Sequence, residues 1–254
     1  MPLKKGLKEK NRTRRVFMDS LALKRNELLL GREAVERLAQ TQIILFGVGG
    51  VGSWCAEALV RSGIGELTLV DPDLVCPTNL NRQLQATVSN LERPKVEALR
   101  DRLLEVNPDA QITPLQKEYN LETSTSFDLS RYHYVIDAID SLSHKTALIA
   151  QAMEAKTSLF SAMGAARKLD PSRICVDSIW KTKGCALARF VRKRLRRRGV
   201  DGDCQCVYSE EVLDNSLTEE ALGSVVHMTG TFGFFLAGLV IQDVWKKSKI
   251  HFQD

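Results

Sequence analysis

Gly47, Gly49, Gly50 and Gly52 stand in the run Gly47-Val-Gly-Gly-Val-Gly52, directly after the apolar stretch Gln42 to Phe46 and directly before Ser53 to Arg61, whose apolar residues recur at helical spacing. Glycines there let a phosphate approach the backbone N–H groups that open the helix, where the helix end adds partial positive charge. Asp71 closes the next apolar run, 19 residues after Gly52, a spacing that suits a carboxylate accepting from ribose hydroxyls. Asp73, Asn79, Arg82 and Lys95 follow, and Asp137 and Asp140 come later. Cations beside a phosphate loop suit attack at phosphorus, where two anions must be held together and neutralised. The glycine loop and acid alone fit a nicotinamide-dependent oxidoreductase as well, but hydride transfer has no use for Arg82 and Lys95. Taken singly, each cation also reads as a solvated surface charge and Asp137 as a strand end.

The elements that must carry these residues read as alternating strands and helices. Gln42 to Phe46, Leu67 to Val70, Gln111 to Leu115, Tyr134 to Ile136 and Thr157 to Ser161 are short apolar or β-branched runs. Between them lie helical patterns: Ser53 to Arg61, a helix with Pro94 in its first turn that runs to Val106 before Asn107-Pro108, and a helix around Lys145 to Ala155. After Asp170-Pro171 come a strand-like stretch Ser172 to Trp180, a basic helix near Cys185 to Arg198, the run CVYS, and an apolar helix over Val225 to Val244. The expected fold is α/β and Rossmann-like, a mostly parallel sheet with helices on both faces and a C-terminal α/β elaboration. Residues 1–16 read as a basic, disordered arm. Residues 17–254 read as a single nucleotide-binding domain, with the binding core at 17–165 and the elaboration at 166–254.

The charge is distributed unevenly. The 254 residues carry 36 Lys and Arg against 31 Asp and Glu, a net +5. Residues 1–15 hold seven basic groups and only Glu9, and Arg189 to Arg198 holds seven more with no acid. Without those two segments 22 basic and 30 acidic groups remain, a body of net −8 with two positive patches. At 44% hydrophobic and 26% charged, the composition excludes collagen-like, disordered and coiled-coil classes. Six scattered Cys, with no Cys-x-x-Cys, point away from a disulfide scaffold or zinc knuckle and towards the cytoplasm. The N-terminus has charge but no apolar run of a secretory signal. Val225 to Val244 has about the length of a membrane span. His227, Thr229, Thr231, Gln242 and Asp243 interrupt it, so a buried core helix is expected and membrane contact is not.

Five spaced motifs occur in order: Arg25-Asn-Glu-Leu-Leu-Leu-Gly31, the glycine loop, Asp71-Pro-Asp73 with Thr78-Asn79-Leu-Asn-Arg82-Gln83, Arg93-Pro-Lys95-Val-Glu, and Asp137-Ala-Ile-Asp140-Ser. This series resembles the ubiquitin-activating-like adenylyltransferases, the ThiF/MoeB/HesA family, over about residues 17–165. The resemblance implies ATP and Mg²⁺: Arg82 and Lys95 on the phosphates, Asp140 on the metal, Asp71 on the ribose and Asn79 positioning the polyphosphate. It also implies a homodimer in which Arg25 reaches the γ-phosphate across the interface. Ser141 departs from the Asn often found after the metal-binding aspartate.

Members that activate sulfur carriers usually hold two Cys-x-x-Cys zinc knuckles, absent here. GVGGVGSW, GIGELTLVDPD, TNLNRQ, Gly164-Ala-Ala, the basic helix, CVYSEE and Thr229-Gly-Thr-Phe-Gly-Phe instead resemble the branch of tRNA threonylcarbamoyladenosine dehydratases. That implies ATP-dependent cyclisation of a modified tRNA nucleoside, with tRNA phosphates met by the outward arginines Arg192, Arg196, Arg197 and Arg198. Activation of a ubiquitin-like or sulfur-carrier protein is the alternative. Cys206 is the residue a thioester route would use, and its place beside a strand fits a small buried hydrophobe equally. No sulfur-transfer or redox partner is identified.

Overall fold

The computed structural model describes residues 21–213 and 223–250; the basic arm expected at residues 1–16 lies outside them. Seven strands form one sheet: β1 (Gln42–Phe46), β2 (Glu66–Val70), β3 (Gln111–Leu115), β4 (Tyr134–Asp137), β5 (Ser158–Ala162), β6 (Ile174–Ser178) and β7 (Gln205–Ser209). The helices are α1 (Lys24–Leu30), α2 (Arg32–Ala39), α3 (Gly52–Arg61), α4 (Lys95–Val106), α5 (Leu142–Glu154), α6 (Ala186–Arg197) and α7 (Val226–Ile250). The strand order is β3-β2-β1-β4-β5-β7-β6. All neighbours are parallel except β6, which runs antiparallel to β7. The chain leaves β1 towards β2 and later returns to β4 on the other side, so the topological switch point lies between β1 and β4. Ligands of such sheets bind there, outside the carboxyl ends of the strands.

The central strands of the sheet are buried on both faces, and the alternation of side chains along β1 shows why. Ile43 and Leu45 enter a core with α3, α4 and α7 residues such as Leu59, Leu99 and Phe232. Ile44 and Phe46 enter the opposite core with Leu148 of α5 and Val191 of α6. An apolar run without polar alternation is what such a strand requires. The last two strands extend the same sheet beyond β5.

Helix α7 packs along α3. A Cβ on Gly233 would lie 2.5 Å from Val51 O, so the two backbones touch. The helix docks on the sheet through Tyr134, whose hydroxyl donates to Asp243 at 2.7 Å, with Lys247 on the same carboxylate at 2.7 Å. The stretch Val226–Lys249 is long and apolar enough to span a bilayer, but half of its apolar window is buried inside the protein.

Several boundaries differ from the sequence expectation. Helix α4 starts at Lys95 because Pro94, with ψ 129°, is still extended. Helix α5 begins earlier, at Leu142, and α7 continues to Ile250. Helices α1 and α2 were not expected, since seven or eight residues are too few to display a period. α2 is held by Ala34 and Leu38 in the core and by Arg32–Glu36 and Arg37–Glu33 pairs one turn apart.

Candidate active site

The glycine loop is dictated by backbone crowding. Gly47 has φ +85°, and a Cβ there would sit 2.7 Å from Ala138 O, at the end of β4. At Gly52 the added Cβ would lie 1.8 Å from Gly47 O, which no side chain tolerates. Gly50 faces Arg82 Cγ and Thr229, each 3.2 Å from its would-be Cβ. The loop therefore turns tightly between the ends of β1 and β4, with the N-terminus of α3 opening over it and Arg82 against one wall.

Asp71 is fixed beneath this loop. Its Oδ2 accepts from Val48 N at 2.8 Å and its Oδ1 from Asp73 N at 3.0 Å. Burial pushes the carboxyl above its ordinary 3.8, while the Lys95 charge and the two amides pull the other way. Each oxygen keeps a second lone pair, so the carboxylate can still receive a hydroxyl. Lys95 reaches the same place because Lys95 N bonds to Asp73 O at 2.9 Å, tying the start of α4 to the loop after β2. The buried Nζ of Lys95 pairs with Asp73 Oδ2 at 2.7 Å, and the Asp73 side chain is itself exposed.

Asn79 builds a turn. Its Oδ1 accepts from Cys76 N at 3.1 Å, and its carbonyl accepts from the Arg82 and Gln83 amides. That turn presents Arg82, whose carbonyl is held by Trp54 Nε1 at 3.0 Å and whose exposed guanidinium bonds only neutral groups, Thr78 O and Asn81 Oδ1. With no carboxylate against it among the described residues, the Arg82 guanidinium is placed to receive an anion.

Beyond β4 the two aspartates do different things. Asp137 is fully buried and accepts from Lys145 Nζ at 2.6 Å, Ser161 Oγ at 2.5 Å and Ile139 N at 3.1 Å. Lys145 Nζ also donates to Ala162 O at 2.8 Å. This buried pair shapes the turn that delivers Asp140 to the surface, where its carboxylate has no hydrogen bond or ion pair among the described residues. One free carboxylate fits Mg²⁺, which takes one or two protein carboxylates and completes its shell with nucleotide phosphates and water. No cluster of three or more acidic, His or Cys ligands exists among the described residues, so a metal held by protein alone does not fit. Ser141 heads α5, its hydroxyl 3.1 Å from that of Ser143.

The structure thus brings Gly47, Gly49, Gly50, Gly52, Asp71, Asp73, Asn79, Arg82 and Lys95 to the switch point, with Asp140 on the adjoining turn. Arg25 stands apart on α1, exposed and without a polar partner among the described residues. Beside it Leu21, Leu28 and Leu29 are exposed. On α6, Val191 and Leu195 are buried as their spacing predicts, and Arg196, Arg197 and Arg198 face solvent. Arg192 corrects the expectation: its partly buried guanidinium turns inward to Thr182 Oγ1 and Ile179 O, joining the bond that the Thr182 hydroxyl already donates to that carbonyl.

Sequence reasoning assigned no role to Lys145 or to Gln83 and Gln85. Gln85 Nε2 holds Val48 O at 2.8 Å, and the Oε1 atoms of both glutamines are buried without a partner among the described residues. A polar residue inside the otherwise apolar period of α5 was the available signal for Lys145. Cys206 is fully buried among apolar side chains, and burial pushes its thiol well above the ordinary value, which fits a small packed hydrophobe.

The sequence matches the ThiF family over residues 23–249. The tRNA threonylcarbamoyladenosine dehydratase of Bacillus subtilis is 41% identical over 187 residues, 74% of each chain. That of Escherichia coli is 34% identical over 250 residues, spanning 87% of this chain and 92% of its own. The solved Escherichia coli enzyme in complex with ATP has a TM-score of 0.85 at 35% identity, covering 90% of this chain and 95% of that one. With its phosphate loop, cations and acids gathered at one switch point, the chain belongs to the ThiF family and, within it, to the tRNA threonylcarbamoyladenosine dehydratases.

Proposed function

We propose that this protein uses ATP to dehydrate threonylcarbamoyladenosine in tRNA to its cyclic form. The observation that carries the reading is an Arg82 that meets no carboxylate among the described residues, set against Gly50 of the glycine loop, together with an unpaired Asp140 on the turn whose Ala138 and Ile139 face Gly47. A threonyl carboxylate is a poor leaving group. Its oxygen attacks the α-phosphorus of ATP, the bond to pyrophosphate breaks, and a mixed anhydride with AMP forms. The neighbouring carbamoyl group then attacks the activated carbonyl and expels AMP, closing the ring without an enzyme nucleophile.

This chain's residues lower the barrier by position and charge. The loop amides and Arg82 hold the phosphates, and Asp71 receives the ribose. Lys95 exchanges Asp73 for a phosphate oxygen as the nucleotide enters. Asp140 holds Mg²⁺, which when bound neutralises phosphate charge. The enzyme acts as a cytoplasmic homodimer in which Arg25 of one protomer reaches the γ-phosphate in the other, with the exposed leucines around Arg25 supporting that contact. tRNA is met by the outward arginines of α6.

ATP–pyrophosphate exchange tests the reading. Exchange that depends on tRNA bearing threonylcarbamoyladenosine supports it. Exchange that depends on a small carrier protein with a Gly-Gly tail, and not on modified tRNA, reverses it in favour of carrier activation.

A further inference from the structure

Helix α6 has a single aromatic residue on its outer side, and phosphate binding gives it nothing to do. The inner stripe, Ala188, Val191 and Leu195, is fully buried. On the outer side Phe190 is 44% exposed. Around it a shallow groove of about 590 Å³ is lined only by Arg189, Phe190, Arg192, Lys193, Arg196 and Arg197. Phe190, Lys193 and Arg197 are spaced three and four apart, so they share one stripe of the helix. The Arg189 guanidinium lies 5.0 Å from the Phe190 ring centroid, and Arg196 lies 5.4 Å from the ring of Trp180. The groove thus offers cations together with one accessible flat ring.

We propose that this groove binds single-stranded RNA, with an unpaired nucleobase stacked on Phe190 and its flanking phosphates on the surrounding cations. The inference rests on the tRNA reading above and deepens it by assigning a base-stacking residue. Unpaired bases in RNA loops are recognised on aromatic side chains and guanidinium planes, whereas duplex RNA offers mainly phosphates and hydroxyls. A membrane surface fits less well, since a helix lying in a bilayer turns its apolar face outward and α6 spends that face on the protein core. Helix α6 begins beside the carboxyl end of β5, the strand next to β4 in the sheet. The start of α6 abuts the turn after β5, where a Cβ on Gly164 would be 3.6 Å from Cys185 Sγ and 3.7 Å from Leu187 Cβ.

The test compares two RNAs of equal length, a stem-loop with an unpaired loop and a blunt duplex, by fluorescence anisotropy across a salt series. Phe190→Ala should weaken stem-loop binding by about 5- to 100-fold, leave duplex binding within about twofold, and keep the salt slope. Phe190→Trp should retain stem-loop affinity. Replacing Arg196, Arg197 and Arg198 with Glu should weaken both RNAs and flatten the salt slope. If Phe190→Ala weakens neither RNA, or both equally, the stacking role is overturned while the RNA reading stands. If the triple charge reversal changes neither, the RNA reading itself falls. Phe190-dependent binding to vesicles containing anionic lipid, tighter than to the stem-loop, would overturn the proposal in favour of a membrane surface.

Discussion

Replacing Lys145 with Met removes one partner from a fully buried ion pair. The ammonium donates to Asp137 at 2.6 Å and to Ala162 O at 2.8 Å. Without it the Asp137 carboxylate retains only Ser161 Oγ and Ile139 N. Leaving a buried charge uncompensated costs about 3–5 kcal/mol. For a chain of this size each kcal/mol shifts the melting temperature by about 2–4 °C, so Lys145→Met should melt roughly 6–20 °C lower. Adding Asp137→Asn removes the stranded charge, and the double variant should recover all but about 1–2 kcal/mol, the remainder reflecting the lost bond to Ala162. Thermal and urea unfolding followed by circular dichroism measure both quantities. The Ile139 amide rests on Asp137, so pyrophosphate exchange should fall in Lys145→Met even at temperatures where it is folded. A melting temperature within 2 °C of the wild type, or a double variant no more stable than the single one, would refute this view of the pair as the support of the Asp140 turn.

Gly52→Ala should lose ATP affinity by more than about tenfold, because its Cβ would overlap Gly47 O at 1.8 Å; unchanged affinity by calorimetry would show that the loop is far more pliable than drawn. Burial alone would raise the Asp243 carboxyl, but the bonds from Lys247 and Tyr134 outweigh it and hold the group below its ordinary 3.8. A depressed carboxyl contributes stability above its unfolded value and loses it as pH falls through the folded one. Asp243→Asn should therefore cost stability near neutral pH, and the difference from wild type should shrink below about pH 4; a difference constant with pH would contradict the assignment. Cys206→Ala should keep at least half of the pyrophosphate exchange and leave the cyclisation product unchanged, since the thiol is buried; complete loss of product in a folded variant would place a thioester on the pathway.

Much of this was legible in the residues because local rules decide it. The apolar runs of β1 and β4 end at Phe46 and Ile136, and the strands end there and one residue later, at Asp137. The glycines at 47 and 52 are demanded by backbone distances of the kind that a tight strand-to-helix turn always imposes. Asp71 directly follows β2 and Asp140 lies on the turn three residues past the end of β4, so both fall at the carboxyl end of the parallel sheet. What stayed hidden depends on contacts between distant segments. Lys145 reads as a helix cation until Asp137 and Ser161 arrive from two neighbouring strands. Arg192 reads as one more outward arginine, yet the loop after β6 turns it inward. The antiparallel direction of β6, a half-buried edge strand, leaves no mark in its own residues, since its composition reads the same in either direction.

The most direct measurement is mass spectrometry of nucleosides from tRNA that bears threonylcarbamoyladenosine, after incubation with the enzyme, ATP and Mg²⁺. The expected result is loss of one water from that nucleoside, with AMP and pyrophosphate formed in equal amounts, and no loss when Arg82→Ala replaces the wild type. Unchanged threonylcarbamoyladenosine in the presence of an enzyme that still adenylates a carrier protein would contradict the proposed function.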